Sequence, residues 1–235
     1  MASHNPEWNE GFVTVTGHTP TFANTTDWLV WHLTHVENLE GILRSGSLLN
    51  YNQAVPKVRV ALNSVQTRRS TTFIHGCEGY PSGMTLHDHV PFYFAARSPM
   101  QYLISQGHPD YPGGTEQLIF VGVRIGTISE RGYTWCFSDR NATIAGAQFR
   151  SRISDIPQAL SLDILRRRYW HDSPELDAAQ RRQAEFLVLN QVTLQDCAAI
   201  VTQNSQTLAI VEHALNGQDL PLVASCQPGF YFGKG

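Results

Sequence analysis

Apolar residues recur along this chain at two spacings, and the spacing changes often enough to exclude a uniform architecture. Trp28 to His32 is apolar and β-rich and reads as the first core strand. From Thr34 or His35 onward, Val36, Leu39, Ile42 and Leu43 recur at helical spacing until Gly46, which predicts a helix stopped by that glycine. Ser47 to Tyr51 is a short extended piece. His89 to Ala95 is a strong strand, Met100 to Gln106 is helical, Pro109 to Gly114 is a turn cluster, and Leu118 to Val123 and Tyr133 to Phe137 are further strands. Ile156 to Trp170 has helical periodicity, followed by a polar stretch, His171 to Gln183, and a strand, Phe186 to Leu189. Val192 to Ile200 and Gln206 to Leu215 read as a strand or turn and then a helix ending at Gly217, with room for a last strand or two in Leu222 to Phe232. Between these lies 52–86, irregular and broken by Pro56, Gly76, Gly79, Pro81 and Gly83; a stretch of that length usually carries function or mobility. Strands and helices alternate without a fixed order, so the predicted class is α+β rather than a doubly wound parallel sheet.

Composition narrows the class. The 235 residues are 42% hydrophobic and 16% charged, an ordinary balance for a soluble globular protein with a substantial core. There is no internal repeat or low-complexity linker, so one domain is expected over residues 28–235, preceded by an N-terminal extension, residues 1–27. No apolar run approaches the roughly 20 residues needed to span a bilayer, and the polar N-terminus lacks the layout of a secretion signal. The expectation is a cytoplasmic monomer with no membrane association. Cys77, Cys136, Cys197 and Cys226 form no CxxC pair and have no His at ligand spacing, so four reduced thiols and no metal are expected.

Charge adds a distribution rather than a sum. A net charge of −3 argues against a wholly basic nucleic-acid binder. Yet there are fifteen Arg and two Lys, and eight of the Arg lie between Arg140 and Arg182 against five acidic residues. That local excess suits a phosphate-tracking stripe or, as readily, a solvated helix face. At its end, Arg181-Arg182-Gln183-Ala184-Glu185 places a carboxylate where the arginine-rich segment turns into the apolar run Phe186-Leu187-Val188. A carboxylate at the edge of a buried strand can stabilise a developing positive charge. Tyr169-Trp170, ahead of these arginines, supplies the stacking surface that single-strand binding needs, or an anchor for the preceding helix. Neither GxGxxG nor GxxxxGK[ST] is present, so a Rossmann or P-loop nucleotide site is not expected.

Three further groups could carry chemistry. His32-x-Thr34, at a strand end, turns an imidazole and a hydroxyl to one side, fit for an amide or a ribose or simply a buried His beside a helix-capping Thr. Arg68-Arg69 falls in the long irregular stretch, where paired arginines are commonly solvated. In the strand from His89, Phe92 and Phe94 belong to the core while Tyr93 faces the other way and can stack on a ring.

In chain order, His32-Leu33-Thr34-His35, Arg68-Arg69, Asp88-His89-Val90-Pro91-Phe92-Tyr93-Phe94 with Arg97-Ser98-Pro99-Met100, and Arg181 to Val188 together resemble the DarT family of bacterial toxins, over residues 28–232. The resemblance implies an ADP-ribosyltransferase-like fold: two small packed β-sheets flanking an NAD cleft, with surrounding helices. It implies transfer of ADP-ribose from NAD, the co-substrate, to a base in single-stranded DNA, thymine first and guanine as the alternative. Glu185 and Arg69 would be catalytic. His32, Thr34, Asn52, Arg59 and Tyr93 would bind NAD, and Arg68, Arg140, Tyr169, Trp170, Arg181 and Arg182 would contact DNA. Phe137-Ser138-Asp139-Arg140-Asn141 resembles a family segment ending Thr-Asp-Arg-His, with Asn141 in place of its His, which leaves base preference open. A DarG-type macrodomain antitoxin that removes ADP-ribose is the implied partner. Two alternatives stand beside this: a transferase of the same fold acting on RNA or protein, and a non-catalytic nucleic-acid-binding module in which Arg69 and Glu185 form a structural ion pair.

Overall fold

The computed structural model describes residues 11–60, 62–171 and 173–233. Strand β1 (Leu29–His35) is the apolar run at the start of the domain, continued through Leu33-Thr34-His35. Helix α1 (Leu39–Ser45) ends at Gly46, whose left-handed φ of 69° reverses the chain into β2 (Ser47–Leu49).

The stretch 52–86 is not wholly irregular. It contains α2 (Asn63–Thr71), a helix whose sequence has no apolar period to reveal it. Polar contacts hold it instead. Asp110 accepts hydrogen bonds from the backbone N–H of Asn63 (2.8 Å) and its side-chain amide (3.2 Å), placing a carboxylate at the positive end of the helix. Arg68 and Arg69 therefore stand on a helix, not on a loop.

Next come β3 (His89–Tyr93) and α3 (Pro99–Ser105), the latter started by Ser98 capping the Gln101 N–H with Pro99 in the first turn. β4 (Leu118–Arg124) runs into α4 (Ile125–Glu130), then β5 (Trp135–Ser138) and the short β6 (Phe149–Arg150). The single helix expected over 156–170 is two shorter ones, α5 (Ile156–Ala159) and α6 (Leu162–Arg166). Leu160 is extended (φ −109°, ψ 150°) and Ser161 restarts the helix by capping Ile164. A third short helix, α7 (Ala178–Arg181), occupies part of the polar stretch before the strand β7 (Glu185–Leu189). Asn190, at a left-handed φ of 66°, turns the chain tightly into β8 (Gln191–Thr193); β9 (Cys197–Thr202), α8 (Ser205–Leu215) and β10 (Val223–Cys226) complete the fold.

Among the described residues, eight strands form one mixed sheet in the order β10-β9-β4-β1-β3-β7-β5-β6, and β2 pairs with β8 in a second. The α+β class is as expected, with two sheets that are unequal rather than both small. Strand alternation sorts the side chains into three clusters. Val30, Val90, Phe92, Phe186 and Val188 point into the largest core on one face. On the other face, Leu29, Trp31, Phe120 and Val201 pack around Phe230 and Tyr231 at one end, and Cys136 and Leu187 pack with Ile74, Leu86 and Phe149 at the other. Between those two clusters, this face is made of His89, Pro91 and Tyr93 of β3 and Glu185 of β7.

Residues 11–27, expected as an extension, are packed into the domain. Phe12, Val13 and Thr14 are buried, the Val13 carbonyl accepts from the Leu29 N–H (2.9 Å), and the Gly11 carbonyl accepts from the Ala96 N–H (3.1 Å). Residues 1–10 of the expected extension lie outside the described residues. Among the described residues, no helix is long and apolar enough to cross a membrane.

Candidate active site

The site begins at a weak seam in the large sheet. β1 pairs with β4 at every position from Leu29 to His35, but with β3 only at Trp31 and Tyr93. Pro91 accounts for the difference. In an antiparallel strand the nitrogen and carbonyl of one residue face the same neighbour, and Pro has no N–H to donate. The Pro91 carbonyl faces β1, where it accepts from His32 Nδ1 at 2.9 Å. The strands part there, and a cavity of about 520 Å³ opens, walled by His32, Thr34, Pro91, Tyr93, Arg69 and Glu185 among others.

That contact fixes the state of His32. A carbonyl can only accept, so Nδ1 carries the proton and Nε2 is left as an acceptor. Burial holds the imidazole below its ordinary pKa against the raising effect of the carbonyl, and the charge of Arg69 lowers it further. Thr34 Oγ1 accepts from Asn38 Nδ2 (3.0 Å), which leaves its own hydroxyl proton to give. Asn38 also donates to the Val58 carbonyl (2.8 Å) and accepts from its N–H (3.0 Å), clamping the cavity-lining segment to β1. Asn38 was not singled out from the sequence.

Opposite stands Glu185, the first residue of β7 and paired in register with Tyr93. Its backbone N–H donates to Ser138 Oγ (3.1 Å), whose hydroxyl donates to the Arg140 carbonyl (2.6 Å). Its Oε2 accepts from Arg69 Nη1 at 2.7 Å, and its Oε1 accepts from the Ala142 N–H at 3.4 Å. Arg69 Nη2 is buried with no hydrogen-bond partner among the described residues. The carboxylate is thus fixed at both oxygens, while a guanidinium N–H beside the cavity remains to be satisfied. Tyr93 lines the cavity; burial, reinforced by the negative charge of Glu185, pushes its phenol pKa up, and its hydroxyl donates to Met100 Sδ (3.7 Å).

The other expected residues divide. Arg59 lines the cavity, its guanidinium 4.6 Å from the centroid of the Tyr51 ring, which in turn stacks on His87 at 4.0 Å. Asn52 does not line the cavity; its amide donates to Asp88 Oδ1 (2.8 Å) and ties the loop down. Arg68 is exposed on α2. Arg140 is held between Asp139 (3.1 Å) and Asp177 (3.4 Å), and Arg181 is paired with Glu175.

Arg182 is the clear correction. It is 1% exposed and its Nη1 donates to the Leu165 carbonyl (2.7 Å), so it knits β7's approach to α6 and presents nothing to DNA. Tyr169 and Trp170 are half-buried, packed on Phe232, and Trp170 also sits edge-on to Tyr102 of α3. Asn141 is spent within its own neighbourhood, donating to Gln183 Oε1 (3.0 Å) and accepting from Thr143. Ser138 stood in a segment singled out by sequence but without a role, and Ala142 acts through its backbone, which no side-chain pattern can signal.

Comparison with known proteins identifies the family of the chain. The family described as ssDNA thymidine ADP-ribosyltransferase, DarT, matches residues 31–232. A DNA ADP-ribosyl transferase of Mycobacterium tuberculosis is 35% identical over 233 residues, 99% of this chain and 100% of that one. Among solved structures, Thermus sp. 2.9 DarT in complex with ADP-ribosylated ssDNA is similar at a TM-score of 0.82 and 28% identity, covering 92% of this chain and 100% of that chain. Thermus sp. 2.9 DarT in complex with NAD+ gives 0.74 and 29%, covering 90% and 100%.

Proposed function

The chain belongs to the DarT family of ssDNA thymidine ADP-ribosyltransferases and transfers ADP-ribose from NAD to a base in single-stranded DNA; we propose that Glu185 and Arg69 carry the transfer and that thymine is the base. The observation that supports this most is the buried Arg69–Glu185 contact on the wall of the cavity that His32 and Thr34 also line.

His32 Nε2 accepts and the Thr34 hydroxyl donates, the complement of a carboxamide with its NH₂ and carbonyl. The nicotinamide end of NAD is assigned there, with the Tyr93 ring as its stacking surface. Arg59, held over Tyr51, is assigned to the phosphates. Asn52 is left out of the site.

In the transfer, the bond between ribose C1′ and the nicotinamide nitrogen breaks, and its electron pair leaves with nicotinamide. Positive charge develops on the ribose, and the preorganised Glu185 carboxylate stabilises it. A ring nitrogen of the base then bonds to C1′, its proton passing to solvent. Arg69 holds Glu185 through Nη1 and offers Nη2 to orient a base carbonyl. Single-stranded substrate follows from chemistry, because that nitrogen is paired and unreachable in a duplex. The reading extends to a cytoplasmic monomer partnered by a DarG-type macrodomain antitoxin, since a modified base in DNA calls for a means of reversal.

The test is incubation with NAD and single-stranded oligonucleotides of mixed sequence, beside duplex and RNA, reading mass gain of one ADP-ribose and release of nicotinamide. Glu185→Gln should lose at least about 100-fold in rate, and fragmentation of the product should place the adduct on thymine. Full activity in Glu185→Gln would remove Glu185 from the chemistry. A binding module built on the same ion pair would release no nicotinamide at all.

A further inference from the structure

A second cavity, of about 360 Å³, is lined by Thr72, Phe73, His75, Phe149 and the loop 142–147, a size suited to a small ligand. It shares no lining residue with the first cavity, yet both are built on the same two supports. Thr72 follows directly on the helix that carries Arg69. Ala142, in the loop, gives its N–H to Glu185 Oε1. The catalytic pair therefore stands between the two cavities.

The second cavity combines the rings of Phe73, His75 and Phe149 with a loop of mostly small residues. Phe73 is 54% exposed. A lone exposed apolar side chain is ordinary, but this one stands on the wall of a cavity that Ala142, the N–H partner of Glu185, also lines. His75 shapes the turn: its Nδ1–H donates to the Phe73 carbonyl (3.1 Å) and its ring packs edge-on to Phe149 at 5.4 Å, so both rings border the same space. Arg68 lies one helical turn before Thr72 and is exposed, with no ion pair to an acidic side chain among the described residues. A ring for a base and a guanidinium for a phosphate are the two kinds of group that hold unpaired nucleic acid.

We infer that this cavity binds the base of a nucleotide adjoining the modified one, stacked on Phe73, with Arg68 on the neighbouring phosphate. This deepens the reading of the chain as a single-stranded DNA ADP-ribosyltransferase and rests on it. It makes Phe73 a specificity-determining residue.

The experiment measures KM for an oligonucleotide and for NAD in wild type, Phe73→Ala and Phe73→Tyr, with a melting curve for each. It repeats the oligonucleotide series with single abasic sites on either side of the modified base. Phe73→Ala should raise the oligonucleotide KM roughly 10-fold or more and leave the KM for NAD and the melting temperature unchanged, with Phe73→Tyr near wild type. One abasic position should raise the wild-type KM comparably and make Phe73→Ala harmless, the coupling expected of two groups in contact. An unchanged oligonucleotide KM in Phe73→Ala, or an equal further loss on every abasic substrate, overturns the subsite. Wild-type transfer to the intact oligonucleotide is the control that separates the two readings: its absence overturns the DNA reading itself, its presence leaves only the subsite in question.

Discussion

Arg69 and Glu185, 116 positions apart in the chain, meet at 2.7 Å with 8% and 3% of their surfaces exposed. One belongs to a polar helix without an apolar face, the other to the first position of a central strand. Neither environment would hold an isolated charge cheaply, so each residue is a condition for the other.

A consequence is that loss of activity in Glu185→Ala does not separate chemistry from folding. Removing one member of a buried pair leaves the other uncompensated, at a cost on the order of 3–5 kcal/mol, less where the cavity admits water. Glu185→Gln keeps an acceptor for Arg69 Nη1. Both variants should be inactive in transfer, and Glu185→Ala, which loses the hydrogen bond as well as the charge, should lower the melting temperature several degrees further than Glu185→Gln. Equal melting temperatures would mean that the hydrogen bond to Arg69 adds nothing to the fold.

Stability should fall on mild acidification, because of histidines held neutral. His89 is fully buried, its Nδ1–H on the Thr85 carbonyl (2.7 Å) and its Nε2 accepting from the Tyr80 hydroxyl (2.7 Å). Burial lowers its pKa from 6.5 to about 4, and His32 is lowered in the same direction. With the folded pKa below the unfolded one, the unfolded chain binds more protons in that interval. Stability is therefore complete above pH 6.5 and declines as pH falls toward about 4. Urea unfolding across that range should show the decline, and His89→Gln should reduce its slope by up to about 1.4 kcal/mol per pH unit. An unchanged slope would show that His89 protonates without resistance.

The adjacent arginines of the approach to β7 should behave oppositely. Arg182 is packed inside and bonded to the Leu165 carbonyl, whereas Arg181 is partly exposed and paired with Glu175. Arg182→Ala should cost several kcal/mol through lost packing and an orphaned carbonyl; Arg181→Ala should cost under about 1 kcal/mol. Denaturant midpoints of the two variants decide it, and a stable Arg182→Ala would return that residue to the surface.

This contrast also marks the limit of what the sequence carries. Glu185 is legible as the point where polar residues give way to an apolar strand, and Gly46 as a helix stop, because each is a local signal. Arg181 and Arg182 are locally identical, and only the packing of α6 against the end of α7 distinguishes them. The helix bearing Arg69 is invisible to apolar periodicity because its inner face is polar. The seam at Pro91 could have been read from a proline inside a strong strand, but its meaning depends on which neighbour that proline faces.

The segment 11–27 gives the last prediction. Phe12 is buried edge-on to Trp28 at 4.9 Å, and Trp28, itself fully buried, donates its indole N–H to the Thr21 carbonyl (3.0 Å) and Asn24 Oδ1 (3.1 Å). Trp28 also meets Phe94, just beyond β3, at 6.5 Å, so the segment is wired into the core that positions the cavity. Phe12→Ala should cost about 3–5 kcal/mol, and a chain starting at residue 28 should lose its cooperative unfolding transition along with transfer activity. If that shortened chain instead unfolds at the same urea concentration as the full one and still modifies DNA, the segment is an appendage and the domain begins at residue 28.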